Sequence, residues 1–299
     1  MIHIIDLEFQ GVPEAIAVFL IETDEGPVLV ETGPHSTFPK LCSKINEIGY
    51  KSTDIKHVFL THIHLDHAGA AWAFAELGAK IYLHPKGYRH MHDPSKLLSS
   101  AKQIYKDLME PLWGTLKPIK EELLIQSENG QGVAVGKNVF TPHFTPGHAV
   151  HHIAWQFDDS VLFSGDVGGV KISDGYVVPP CPPPDINVED WKASIDLIRS
   201  LNVKEMYLTH YGKTSDVEAH LNQLEEVLES WADWIKPHYD SKANIPDIVP
   251  QFKDFVVKQL IDNGVPEKDL QIYEAANPSY MSVSGLMRYW RKKEQAENS

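Results

Sequence analysis

Three short apolar runs in this chain end on a side chain that can bind a metal or move a proton. They are Phe59-Leu60-Thr61-His62, Tyr207-Leu208-Thr209-His210 and Leu162-Phe163-Ser164-Gly165-Asp166. Runs this short, rich in β-branched and aromatic residues, read as buried strands. Each delivers its polar residue at the C-terminal end, where open α/β sheets place their sites. One such end is an ordinary cap; three together argue for a shared site.

Further runs of the same kind are Ala15 to Ile21, Val28 to Val30, Val58 to Leu60, Ile81 to Leu83 and Ile153 to Phe157. Helical stretches lie between them. From Asn187 to Leu201, Trp191, Ile195, Ile198 and Leu201 share one face behind a capping Asn187. From Val217 to Ile235, apolar residues recur at steps of three and four. Alternating strands and helices mark an α/β protein. At roughly 100 to 200 residues per domain, 299 residues fit one large domain, two modest ones, or a single domain with appendages. Two segments lack strand signals. Residues of about 85 to 117 read as a helical insertion, and 236 to 299 as a C-terminal helical extension too apolar to be a free tail, leaving 1 to 235 as the main domain.

Charge and cysteine content narrow the partners. With 27 Lys and Arg against 41 Asp and Glu, the formal charge is −14, a field that repels nucleic acid and anionic lipid surfaces. Cys42 and Cys181 are the only cysteines, too few for a disulfide framework and not in metal-binding pairs. The N-terminus lacks the pattern of a secretory signal, and no apolar run approaches 18 residues. The expectation is a cytoplasmic protein with reduced thiols, acting on a small molecule, with no nucleic-acid or membrane partner.

The densest chemistry is His62-Ile63-His64-Leu65-Asp66-His67, four metal-capable side chains in six positions directly after a strand. Read as an extended turn, the segment aims alternate residues to one side, so that His62 and His64 can share one ion while Asp66 and His67 face a second.

With its flanks, Thr61-His62-Ile63-His64-Leu65-Asp66-His67-Ala68-Gly69, and with Thr145-Pro146-Gly147-His148, Ser164-Gly165-Asp166 and Leu208-Thr209-His210 in order, the chain resembles the metallo-β-lactamase superfamily over roughly residues 1 to 235. The resemblance implies a four-layer αβ/βα sandwich, two mixed sheets face to face with helices outside and a binuclear site along one edge. It assigns His62, His64 and His148 to one metal, Asp66, His67 and His210 to another, and Asp166 to both. The ions implied are two divalent metals, zinc first, with iron or manganese accepted by the same donors. Where family members commonly carry Asp before Thr-Gly, this chain has Glu31-Thr32-Gly33, whose longer carboxylate would orient a ligand imidazole from a shifted backbone.

The remaining candidates have weaker claims. His152 reads as a residue supporting the ligands, and His90 and His92 as surface or pocket-wall residues. His84, Lys86, Tyr88 and Tyr211 lie near enough to the motif strands to reach substrate. The proline-rich stretch from Val177 to Asp185, around Cys181, must be a stiff extended loop. It is either a pocket wall, with Cys181 as a thiol facing it, or a plain connector.

The resemblance implies a hydrolase that cleaves an ester-type bond with metal-activated water, Asp66 orienting that water and taking its proton. Antibiotic-degrading members typically lack a carboxylate where Asp166 stands, and the di-iron flavoproteins usually place Glu where His64 stands. RNA-processing branches fit poorly with the charge. Thioester, lactone and phosphoester hydrolases remain, against two rivals: a mononuclear iron persulfide dioxygenase and a non-catalytic metal-binding protein. The apolar C-terminal segment, with Phe252, Phe255, Tyr289 and Trp290, must cover either its own chain or a second copy in a homodimer.

Overall fold

The computed structural model describes residues Met1–Asn298 as two six-stranded mixed sheets packed face to face, with helices on both outer surfaces. The first sheet runs in chain order: β1 (Ile2–Asp6), β2 (Ala17–Thr23), β3 (Gly26–Val30), β4 (His57–Phe59), β5 (Lys80–Leu83) and β6 (Leu124–Gln126). β1 to β3 are antiparallel neighbours, and β3 to β6 are parallel. Its outer face carries α1 (Phe38–Ile48), α2 (Leu65–Ala68) and α3 (Ala71–Glu76). The segment α4 (Pro85–His92), α5 (Ser95–Tyr105) and α6 (Met109–Trp113) forms the helical insertion between β5 and β6.

The second sheet is β7 (Val133–Val135), β8 (Asn138–Phe144), β9 (Ile153–Phe157), β10 (Val161–Phe163), β11 (Glu205–Leu208) and β12 (Gly212–Thr214). Only β10 and β11 are parallel within it. α7 (Val188–Ser200) and α8 (Val217–Asp240) cover its outer face, and α9 (Ile245–Asp262), α10 (Glu267–Ala276) and α11 (Ser279–Glu297) extend that layer.

The uninterrupted apolar run in β2 follows from this layering. Ala17, Phe19 and Ile21 face the second sheet, while Val18 and Leu20 face the helices, so neither side of the pleat meets water. Between the sheets, the Phe59 ring stacks on Phe140 at 4.2 Å and Tyr82 at 4.6 Å and meets Trp155 edge-on. Trp155 Nε1 then donates to the Leu60 carbonyl (2.9 Å), tying the second sheet to the strand that leads into the histidine motif.

Asn187 caps α7 as its position predicts, its side chain accepting from the Asp190 amide. Most of the large apolar residues of the C-terminal segment pack into their own chain's core, while Ile261 and Tyr280 stay exposed. Phe252 and Leu286 are fully buried in one cluster with Trp191 and Trp231, and Trp290 Nε1 donates to the Ala232 carbonyl (2.8 Å). α8 passes without a break through residue 236, and its buried face shares one cluster with α7, α9 and α11.

Candidate metal centre

Seven donors converge at one end of the sandwich from four loops. β4 leads into His62 and His64, the β8–β9 loop carries His148, the short helical turn Gly165–Gly168 after β10 carries Asp166, and the β11–β12 turn carries His210. The motif is extended only as far as His64. Leu65–Ala68 coils into the turn of α2, correcting the reading of an extended turn throughout: the helix sets Asp66 and His67 side by side, facing away from the first pair.

The donors form two sets, each within 4.8 Å: His62, His64, His148 and Asp166, and Asp66, His67 and His210. In the first, His64 Nδ1 lies 2.9 Å from His62 Nε2 and 3.1 Å from His148 Nε2, with Asp166 Oδ2 3.2 Å from the latter. In the second, Asp66 Oδ2 is 3.7 Å from His67 Nε2 and 3.5 Å from His210 Nε2. The other Asp166 oxygen, Oδ1, reaches across to His67 Nε2 (3.1 Å) and His210 Nε2 (3.4 Å).

Two features fit divalent ions here. His67 Nε2 and Asp166 Oδ1 are buried and near each other, yet neither is placed to hydrogen-bond, so each keeps a lone pair aimed into the cluster. The outward nitrogens are occupied: His148 Nδ1 donates to the Pro180 carbonyl (2.9 Å), His210 Nδ1 to the Ala15 carbonyl (2.7 Å), and His67 Nδ1 to Glu31 Oε1 (2.9 Å). A proton fixed on Nδ1 leaves Nε2 free to ligate.

Glu31 governs a second imidazole as well. The Thr61 hydroxyl donates to Glu31 Oε1, and so its oxygen can accept only from His62 Nδ1 (3.1 Å), which again frees Nε2. Fully buried Glu31 reaches both from a left-handed backbone, φ 68°, a conformation costing a non-glycine residue about 1 to 2 kcal/mol. His152 accepts from the Val167 amide (3.4 Å) at Nε2 and contacts Thr145 Oγ1 (2.8 Å) at Nδ1, bracing the loop that carries Asp166. Gly147 and Gly165 are required by close approach. A Cβ would lie 2.3 Å from Trp191 Cα at the first, and 2.6 Å from both His152 Nε2 and Thr61 Oγ1 at the second.

The two sets differ electrostatically. Burial and mutual repulsion hold His62 and His64 below the usual imidazole range and His148 at about 4. Burial also opposes charge on His67 and His210, but Asp166 and Asp66 outweigh it and raise both. Asp66, although burial would raise it, is held at about 2 by His67 and His210. The imidazoles of the first set are thus neutral, whereas those of the second sit in the field of both Asp66 and Asp166.

A cavity of about 1210 Å³ opens over the donors. His64, Asp66, Asp166 and His210 line its floor, α4 to α6 one wall, and Pro180 and Pro182 to Asp185 another. Residues Gln271 to Met281 of the C-terminal segment border it as well. The proline-rich stretch is therefore a wall, but Cys181 points away from it, buried under α11 with its amide near Ser282 Oγ. Lys86, Tyr88 and His90 line the cavity. His84 instead caps α4, accepting from the Lys86 amide, His92 contacts the Ile119 carbonyl, and Tyr211 packs beside the core.

His151 lines the cavity too, a residue not singled out from sequence because only His148 fits the motif. Its Nδ1 is buried without a partner, while Nε2 makes no protein hydrogen bond and reaches the cavity. Its ring centroid is 5.8 Å from that of His64. Burial keeps this imidazole neutral, and an unpaired buried lone pair is cheaper than an unpaired N–H, so the proton belongs on Nε2.

A four-layer sandwich with a two-set histidine and aspartate cluster at its edge defines a class of metal-binding α/β proteins. Residues 11–210 match the family described as the Metallo-beta-lactamase superfamily, and the chain belongs to it. It is similar to Metallo-beta-lactamase fold-containing protein ST1585 of Sulfurisphaera tokodaii, 28% identical over 71% of this chain and 79% of that one. The solved structure of ST1585 superposes with a TM-score of 0.60 and 26% identity over 74% and 85% of the two chains. Family protein TTHA1429 of Thermus thermophilus shares the fold over 98% of this chain and 94% of its own, with TM-score 0.71 and 19% identity. An N-acyl homoserine lactonase of Bacillus cereus is 35% identical over a shorter stretch, 19% of this chain and 32% of the lactonase.

Proposed function

We propose that the chain is a binuclear metal-dependent hydrolase that cleaves an ester-type bond, thioester, lactone or phosphoester, in a small molecule. The observation that carries this reading is the pair of donor sets joined by Asp166 on the floor of a large cavity. The similarity to a lactonase, although it spans a third of that protein, supports the ester class. Two divalent ions, zinc by preference, with iron or manganese as alternatives, would supply Lewis acidity and lower the pKa of water from about 15.7 towards 7.

The protein's own contribution is orientation and proton handling. Of the two carboxylates that meet both the second donor set and the cavity, Asp66 is the more open, its side chain 23% exposed against 5% for Asp166. It orients the attacking water and receives its proton. His151 Nε2–H offers a neutral donor to the substrate oxygen on which charge develops. The acyl or phosphoryl centre gains the water oxygen, its bond to the leaving oxygen or sulfur breaks, and the proton held by Asp66 passes to that leaving atom. Both cysteines are free thiols, in accord with a cytoplasmic setting, and among the described residues no helix is long and apolar enough to cross a membrane.

Elemental analysis combined with a hydrolysis panel tests the reading. Two ions per chain and turnover of a thioester, lactone, phosphodiester or phosphotriester are expected. One ion per chain after metal-replete purification, with oxygen consumption on a persulfide, would replace it with the dioxygenase reading.

A further inference from the structure

Two kinds of surface face each other across the cavity. Among the described residues nine large apolar side chains are exposed, and four of them, Ile104 (43%), Leu108 (60%), Val150 (40%) and Tyr280 (40%), line this one space. Lys86, Arg89 and Lys96 line it too, and among the described residues none of the three has a carboxylate within ion-pair distance, Arg89 Nε donating instead to His90 Nε2 (3.2 Å). In a chain of charge −14, three unpaired cations on one cavity wall make a local positive field where the whole molecule is negative.

α5 sorts the two kinds along its length. Lys96, Ser100 and Ile104 recur every fourth residue and all line the cavity, so one helical face runs from a cation to apolar surface. Eight residues at about 1.5 Å each separate Lys96 from Ile104 by roughly 12 Å. The donor cluster opens on the same space, with His64, Asp66, Asp166 and His210 lining the cavity that Lys96 and Ile104 line. Four carboxylates line the cavity. Asp66 and Asp166 belong to the cluster, Glu274 is bound by Ser279 (2.7 Å), and Asp185 ends the proline-rich wall.

We infer that the substrate is an amphipathic anion: an ester or thioester joining an apolar acyl or aryl group, seated against Ile104, Leu108 and Tyr280, to a group bearing carboxylate or phosphate, held by Lys86, Arg89 and Lys96. This rests on the hydrolase reading for the bond cleaved, but the ligand class is tested by binding alone. Water adds its oxygen to the acyl carbon, the bond to the leaving oxygen or sulfur breaks, and the products are an apolar carboxylic acid and an anionic alcohol or thiol.

The probes are octyl phosphate, octanoate, octyl glucoside and inorganic phosphate, titrated calorimetrically into the full chain as purified and after chelation. Octyl phosphate or octanoate should bind at least tenfold more tightly than octyl glucoside or inorganic phosphate, and the stronger of the two identifies the anionic group. The triple variant K86A/R89A/K96A should lose at least tenfold for the anionic amphiphile and leave octyl glucoside unchanged, whereas Leu108→Asn with Ile104→Asn should weaken both amphiphiles. Octyl phosphate and octanoate binding no better than inorganic phosphate, or indifferent to the triple variant, overturns the inference. If the binding pattern holds but no octanoyl ester is cleaved, the hydrolase reading fails and the ligand class stands. If short neutral esters are cleaved without amphiphile binding, the reverse is true.

Discussion

Replacing Glu31 with Gln should weaken metal binding in both donor sets at once. Oε1 of Glu31 accepts from His67 Nδ1 and from the Thr61 hydroxyl, and Oε2 faces the Thr61 amide at 3.4 Å. The best orientation of Gln keeps its oxygen at the Oε1 position and turns its NH₂ towards the Thr61 N–H, so two donors meet where a carboxylate accepted. The two retained bonds lose their charge assistance, about half their strength, or roughly 0.7 to 1.5 kcal/mol each. The reversed amide is worse. Its NH₂ would donate to Thr61 and His67, moving the protons of His62 and His67 onto the Nε2 atoms that must ligate. The sum corresponds to a loss of about 10- to 100-fold in affinity, the range known for residues that orient metal ligands. Competition against a fluorescent zinc chelator, with circular dichroism as a folding control, measures it. Thr61→Val serves as the one-sided partner: it breaks the link to His62 but leaves His67 bonded to Glu31, so only the first set should weaken. A folded Glu31→Gln protein that binds both ions within threefold of the parent would refute the reasoning.

Four further outcomes are expected. Asp66→Asn should lower kcat by about 10² to 10⁴ on the best ester of the panel while the fold persists, and near-normal turnover would remove the proton role. His151→Leu should reduce kcat/KM by about tenfold and His151→Gln, which keeps a donor near Nε2, should recover most of it; equal losses in steady-state assays would make the residue a packing element. His220, donating from Nε2 to the Gly168 carbonyl (2.7 Å), is held at about 4 by burial. Because the unfolded imidazole titrates near 6.5, its neutral form stabilises fully above that pH and the contribution, on the order of 3 kcal/mol at most, is lost as pH falls from about 6.5 to 4. Urea unfolding of His220→Gln should be flatter across that window. Leu286→Ala, in a fully buried position shared by α11 and the α7–α8 layer, should cost about 2 to 5 kcal/mol in one cooperative transition, whereas an early separate transition would make the C-terminal helices an independent unit.

Much was legible in the chain itself because it is local. Strands buried on both sides announce themselves as uninterrupted apolar runs, and β2, β3, β5, β9, β10 and β11 fall where those runs lie. β8 was silent for a local reason: Pro142 interrupts it, and is accommodated because β7 ends before that register, leaving its missing N–H without a partner to serve. The donors were readable as residue types after strand ends, since His62, Asp166 and His210 need only a buried run to carry them. Their convergence was not. Whether Asp166 lies between two sets depends on how two sheets, joined by Phe59, Phe140 and Trp155, set loops from distant parts of the chain against each other. Tertiary packing alone also decided the αL backbone of Glu31, the cavity-facing edge of His151, the burial of Cys181 in the core away from the cavity and the use of the insertion and C-terminal helices as cavity walls. Spacing records which side chains are neighbours along a strand or helix, but the direction a side chain faces across an interface is set by what packs behind it.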